Sequence, residues 1–303
     1  MVDEGREGHR LTGTVDILLP YYGDVSQMKE AVGSVLGQTY QAWRLVVLDD
    51  GYPDPEPERW FGTIDDPRIS YTKNSENLGA NGNYRKAVEC AEAEWFVMMG
   101  ADDVMYPGYL EAALAATGRG VDIIQPRVNV IDEHGNSVLP LADRIKRLLM
   151  PKVGRREWTV LSGEALASSL LRANWAYFPS LMWRTEIVKE IGFRQGLDVV
   201  QDLALILDIV AKGGGMALTS HTVFNYRRHS QSDSSVKAVD GRRFDEEKRF
   251  FRGEAERFAQ MGWNRASRAA RFHVTSRLNA ASLLPRAVKV GGAPRALARH
   301  IIS

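Results

Sequence analysis

Two stretches decide the fold: Val46-Val47-Leu48-Asp49-Asp50-Gly51 and Trp95-Phe96-Val97-Met98-Met99-Gly100-Ala101-Asp102-Asp103. Each is an apolar run of strand length that stops at a pair of carboxylates. Such a run, bounded by a turn signal, reads as a buried strand. Upstream, Val15–Leu19 ends at Pro20 and reads the same way. Between the runs lie helical patterns. Met28, Ala31, Val32, Val35 and Leu36 keep one face of Gln27–Leu36 apolar. Tyr84–Ala91 and Tyr109–Ala116 are further helices, the latter with Pro107 in its entry. Leu45–Leu48, Ile69–Tyr71, Trp95–Met99 and Ile123–Gln125 complete the expected strands, and Pro53–Pro57 is expected to be a loop. Strands that alternate with helices predict a parallel sheet covered on both faces. Ligands of such sheets bind beyond the carboxyl ends of the strands. Both acidic pairs therefore belong at one edge.

The pattern loosens after about residue 130. Arg144–Trp158 is rich in Arg and Lys and shows no clear period. Gly163–Leu171, Thr185–Ile191 and the apolar Gln201–Ala211 read as helices. Gly213-Gly214-Gly215 stops the last of these. Ser180–Trp183 and Val223–Tyr226 read as short strands, and Phe244–Met261 as an amphipathic helix. The tail from Trp263 to Ser303 has no acidic residue.

Composition narrows the function. The formal net charge is +1, which supplies no global field for nucleic acid. The single cysteine, Cys90, excludes an intrachain disulfide and reads as a small core residue. No secretory leader is visible in the polar start, and no apolar run reaches the ~18 residues of a membrane span. A cytoplasmic site is expected. The basic tail allows peripheral contact with the inner membrane face, or a solvated or oligomer-forming helix.

Each motif admits a functional and a structural reading. Asp102-Asp103 could hold a hard cation that bridges to phosphate, or start the following helix. Asp49-Asp50-Gly51 could accept bonds from a base or ribose, or form a turn. Asn77-Leu78-Gly79 with Asn81, Asn83 and Arg85 could face a phosphate-bearing ligand at a helix head. Helix capping is the plainer reading for Asn81. Asp202 could be a general base against apolar walls or a helix cap. His229, after Arg227-Arg228, could meet a metal or diphosphate, or lie on the surface.

The order of the motifs is more specific than any one of them. The series runs Val15–Tyr22, then Ser34-Val35-Leu36-Gly37-Gln38-Thr39-Tyr40, Val46–Gly51, Asn77-Leu78-Gly79, and Glu94-Trp95-Phe96 leading to Asp102-Asp103 and Pro107. It strongly resembles the inverting glycosyltransferases of family 2, over roughly residues 14–235. Asn174 through Arg184, Gly192-Phe193, Asp202, and Tyr226-Arg227-x-His229 resemble that family's second half. The resemblance implies a GT-A fold: one Rossmann-like mixed α/β sheet flanked by helices. Residues 14–127 would form its nucleotide half and 128–235 its acceptor half. A tail (1–13) would precede it and a basic helical extension (236–303) would follow.

The resemblance also implies roles. Pro20, Tyr22, Asp49, Asp50, Asn83, Arg85 and Asp102 would bind the nucleotide. Asp103, Asp102 and His229 would hold Mg²⁺ or Mn²⁺, and Asp202 would be the catalytic base. The donor would be a nucleoside-diphosphate sugar, with UDP or dTDP favoured. A hexose or deoxyhexose would pass to a glycan or lipid-linked acceptor in envelope or exopolysaccharide synthesis. Three positions depart from the family pattern: Gly100 where Asp is usual, Gln201 where Glu is frequent, and Tyr52 where Ser is usual. Gly100 and Gln201 keep open a sugar-nucleotide-binding protein without catalysis. A nucleotidyltransferase is disfavoured because Pro20-Tyr21-Tyr22-Gly23-Asp24 has no basic residue. A Rossmann dehydrogenase is disfavoured because no G-x-G-x-x-G follows the first strand.

Overall fold

The computed structural model describes residues 13–154, 157–228, 242–273, 276–277 and 298. In chain order the elements are β1 (Val15–Tyr21), α1 (Val25–Leu36), β2 (Trp43–Asp49), α2 (Glu56–Phe61), β3 (Ile69–Lys73), α3 (Gly79–Glu89), β4 (Trp95–Met98), β5 (Val104–Met105), α4 (Tyr109–Leu114) and β6 (Ile123–Ile131). Then follow α5 (Leu141–Leu149), β7 (Trp158–Ser162), α6 (Gly163–Arg172), β8 (Met182–Arg184), α7 (Thr185–Ile191), α8 (Gln201–Ala211) and β9 (Gly215–Arg227). Arg242–Gln260 and Asn264–Phe272 form two further helices, here α9 and α10.

The strands join one sheet in the order β3-β2-β1-β4-β8-β6-β9-β5, with β7 also on β9. β3, β2, β1 and β4 run parallel to one another, as the alternating pattern predicts. The second half makes the sheet mixed, as the GT-A resemblance implies. β8 enters antiparallel between β4 and β6.

Alternation along the strands sorts the core into two layers. Val15, Ile17 and Leu19 join one apolar cluster with Leu45, Val47 and α1. Leu18, Val46 and Leu48 point the other way, to a cluster that includes α6 and α8. Phe250, Phe251 and Phe258 of α9 and Ala266 and Ala270 of α10 are buried in that second cluster. The C-terminal helices therefore share the domain's core.

Several elements differ in extent from their sequence reading. β6 continues past Gln125 to Ile131, with its pairing shifted around Pro126, which has no N–H to give. The strand expected at Val223–Tyr226 is the end of β9, which runs 13 residues. The Pro-rich loop contains α2, begun by prolines that suit a first turn. Helix α5 occupies the stretch without a clear period.

Candidate functional site

A cleft of about 720 Å³ opens at the carboxyl edge of β1, β2 and β4. Its walls come from Pro20 and Tyr21 at the end of β1 with Tyr22–Asp24 beyond it, Asp50 after β2, the first turns of α3, Gly100–Asp102 after β4, and Glu133. Of the expected nucleotide ligands, Pro20, Tyr22, Asp50, Asn83 and Asp102 line it.

Asp50 is buried, and its Oδ1 accepts from the Asn74 side-chain amide (2.9 Å) and the Leu78 N–H (2.8 Å). Asn74 also donates to Asn83 Oδ1 (3.1 Å) and accepts from Lys86 Nζ (2.6 Å). Asn83 in turn donates to the Leu48 carbonyl (2.8 Å). This network presses the head of α3 onto the end of β2. A lone Asn and a lone Lys carry no motif, so the sequence does not mark Asn74 or Lys86. Tyr22 is 56% exposed and stands edge-on to Tyr52, with centroids 5.6 Å apart. That leaves an aromatic surface at the cleft mouth.

Asp49 and Arg85 are not among the lining residues. Asp49 is fully buried, and its two oxygens accept from the Tyr52 N–H and the Tyr71 hydroxyl. Burial first, and then the bond to Asp49, push the Tyr71 phenol up from its ordinary value. Asp49 thus ties the turn to β3 and lies outside the cleft lining, in which the nucleotide reading places it with Asp50. The physical reason is side-chain alternation: at a strand's end, successive residues point to opposite faces. Arg85 keeps its Nε buried and without a hydrogen-bond partner.

The Asp102-Asp103 pair is built differently. Asp103 is buried, its Oδ1 accepts from the Arg227 N–H (2.8 Å), and its Oδ2 has no partner. Burial, and then the neighbouring Asp102 charge, push the Asp103 carboxyl well above the usual carboxylate range. Both carboxylates fold back over Gly100. A Cβ there would stand 2.5 Å from Asp103 Oδ2 and 2.9 Å from Asp102 Oδ1. Two close carboxylates, one with a dry and unpartnered oxygen, are costly unless a cation or donor meets them. The oxygen-only donor set suits Mg²⁺ or Mn²⁺. Among the described residues no cluster of three His, Cys, Asp or Glu supplies a complete ligand cage. His229 lies outside the described residues.

Arg227, part of the Tyr226-Arg227-x-His229 motif, has a structural role that the motif does not reveal. It is buried. Its guanidinium donates to the Asp102 carbonyl (2.6 Å), to Glu30 (2.6 Å) and to the Asp132 and Glu133 carbonyls (3.3 Å each). It fixes the acidic loop from behind. The Gln38 side chain secures the same loop by donating to Tyr106 O (2.8 Å) and accepting from Leu110 N–H (3.1 Å). The Ser34–Tyr40 motif is thus a brace for the segment that follows Asp102-Asp103.

Asp202 sits in the first turn of α8 and does not line the cleft. Its Oδ1 accepts from Leu203 N–H (2.7 Å) and its Oδ2 from the Asn174 amide (3.4 Å). It is not the N-cap, which is Val200. Asn81, read as a helix cap, instead joins α3 to the turn before α8. It donates to Leu197 O (3.0 Å) and Asp198 Oδ1 (2.6 Å) and accepts from the Gln201 side chain. Gly79 and Ala80 of the same α3 turn border the cleft, so Asp202's helix is bolted to the cleft wall.

Glu246 of α9 supplies the anion at the start of α8. Its buried carboxylate accepts from the N–H groups of Asp198 (3.0 Å), Val199 (2.7 Å) and Val200 (3.1 Å). Val200 is the N-cap of α8, so the carboxylate holds the turn that enters the helix and places a negative charge at its N-terminus.

Comparison with known proteins agrees with this architecture. The profile of the family described as Glycosyl transferase family 2 matches residues 16–174. An uncharacterized glycosyltransferase of Rickettsia conorii is 31% identical over 128 residues, which cover 41% of this chain and 21% of the relative. The chain thus aligns with about a fifth of that relative's length. Among solved structures, residues 1–349 of S. aureus TarS in complex with UDP-GlcNAc superpose with a TM-score of 0.62 at 16% identity. The match covers 78% of this chain and 65% of that one. The mannosyltransferase PcManGT from Pyrobaculum calidifontis, in complex with GDP-Man and Mn²⁺, gives 0.60 at 15% identity, covering 94% and 80%.

Proposed function

The chain belongs to glycosyl transferase family 2, and from that premise we propose that it is an inverting enzyme using a nucleoside-diphosphate sugar and a divalent cation. Its fold is the GT-A fold. The observation that carries the proposal is Asp102 in the wall of a cleft shared with Tyr22, Asp50 and Asn83, with the buried Asp103 and its unpartnered Oδ2 next to it behind that wall.

Tyr22 would take the base on its exposed ring, and Asp50 would face the ribose. Asp102 and Asp103 would hold Mg²⁺ or Mn²⁺, whose charge would offset that of the departing diphosphate. Asp202 would accept the proton of an acceptor hydroxyl. The acceptor oxygen would bond to the anomeric carbon as the bond from that carbon to the diphosphate oxygen breaks, which inverts the centre. UDP- and dTDP-sugars are the favoured donors, and a hexose or deoxyhexose the group moved. A glycan or lipid-linked hydroxyl would receive it, in envelope or exopolysaccharide synthesis at the cytoplasmic side. No helix among the described residues is long and apolar enough to cross a membrane.

Asp202→Asn tests the base. Transfer should fall by about 100-fold or more, while calorimetry with UDP and Mn²⁺ shows unchanged nucleotide affinity. Transfer at the wild-type rate would remove Asp202 from the mechanism. Donor turnover that EDTA leaves untouched would remove the cation.

A further inference from the structure

Helix α5 is amphipathic the wrong way round for a soluble surface. At 100° per residue, Leu141, Ile145, Leu148 and Leu149 fall in an arc of about 100°. That arc faces outward: Leu148 is 79% exposed, Leu141 66% and Leu149 42%. Leu139, just before the helix, is 44% exposed.

The inward side is polar. Asp143 is fully buried and accepts from the Tyr177 hydroxyl (2.9 Å) and from Arg228 (2.8 and 3.0 Å). Lys146 donates to the Ala176 carbonyl (3.2 Å) and lies 4.6 Å from the Tyr177 ring centroid. The orientation is therefore held by specific bonds, and the leucines are left in water. Apolar side chains grouped this way on a surface mark a site that something covers.

Charge identifies what covers it. Residues 139–156 hold six Arg and Lys against one acid, Asp143, in a chain whose net charge is only +1. Arg144, Arg147 and Lys152 are exposed around the leucine arc. A second copy would bring the same basic face against this one. The segment 263–303 has no acid to offer it. An aliphatic strip rimmed by cations matches the boundary of an anionic bilayer, where leucines enter the acyl region and Arg and Lys reach the headgroups.

We propose that α5 lays this enzyme on an anionic membrane surface and so presents its cleft to a lipid-linked acceptor. The placement fits. Arg228, which holds Asp143, directly follows Arg227, which holds the Asp102-Asp103 loop. The leucine strip is thus fixed relative to the acidic end of the cleft. Only the acceptor's identity rests on the transferase reading; membrane contact stands on α5 alone.

The test is co-sedimentation of the full chain with vesicles of phosphatidylcholine, with and without phosphatidylglycerol, comparing wild type with Leu141→Asn/Leu148→Asn. Wild type should pellet with the anionic vesicles and remain in solution with the neutral ones. The double variant, altered only at exposed positions, should keep its Tm and its donor hydrolysis rate and lose vesicle affinity by about tenfold or more. The proposal is overturned by a variant that binds anionic vesicles as well as wild type does, or by a wild type that ignores them. It is also overturned if the substitution dissolves a dimer in sedimentation velocity while neither protein binds lipid. Loss of donor hydrolysis by wild type would sink the transferase reading and leave the vesicle result standing.

Discussion

Gly100 stands where the family pattern usually has Asp, and the structure gives the vacancy a use. Its missing side chain is the space into which the Asp102 and Asp103 carboxylates turn. Asp103 is held on one side by the Arg227 amide and has little room to retreat. Gly100→Ala should therefore displace the carboxylates and weaken Mn²⁺-dependent UDP binding by about tenfold, on the scale of a lost charge-assisted contact. Calorimetry with and without Mn²⁺ reads this directly. An unchanged affinity would mean that the pair does not hold the cation. Asp49 teaches the complementary lesson. It and Asp50 are identical in sequence terms, and only the strand's alternation decides that one braces β3 while the other reaches the cleft.

Helices bring the remaining chemistry to the site, and their anchors are distant in sequence. The N-terminus of α8 receives no local cap; Glu246, from α9, closes it from another helix. Glu246→Ala should cost about 1–3 kcal/mol by leaving the Asp198, Val199 and Val200 N–H groups without their acceptor. It should also lower kcat more than it raises the donor KM, because Asp202 begins the same helix. Glu246→Gln keeps the carbonyl oxygen and should recover much of the stability. Paired unfolding curves and steady-state kinetics separate the two effects. Equal kcat in wild type and Glu246→Ala would show that the turn holds Asp202 without this brace. Helix α5 escaped the sequence reading for a related reason. Arg144, Lys146 and Arg147 interrupt its apolar positions and hide the period.

Across the whole molecule, stability depends on ties between the parallel strands and the loops behind them. Asp16 on β1 pairs with Arg44 on β2 (2.9 Å) and accepts from the Glu92 and Ala93 amides ahead of β4. Burial pushes the Asp16 carboxyl up, but the Arg44 guanidinium and those amides outweigh it and hold it below the usual carboxylate range. A lowered folded pKa adds stability above the unfolded value of about 4, and that stability fades as pH falls below it. Asp16→Ala should thus cost about 3 kcal/mol at pH 7, and the gap from wild type should narrow on acidification. Urea unfolding at pH 7 and pH 3 measures this; a gap of equal size at both would separate the loss from ionisation.

Local sequence determined the strand–helix alternation, the two acidic strand ends and the family series through Pro107, because strand period, turn chemistry and motif spacing are written in neighbouring residues. Tertiary structure alone decided that β8 enters antiparallel, that Arg227 and Gln38 clamp the acidic loop, that Asn81 and Glu246 seat the helix of Asp202, and that α5 turns its leucines outward. Those outcomes depend on hydrogen bonds and packing between segments tens to nearly two hundred residues apart. No window of the chain contains both partners, so only the folded arrangement shows which polar group meets which.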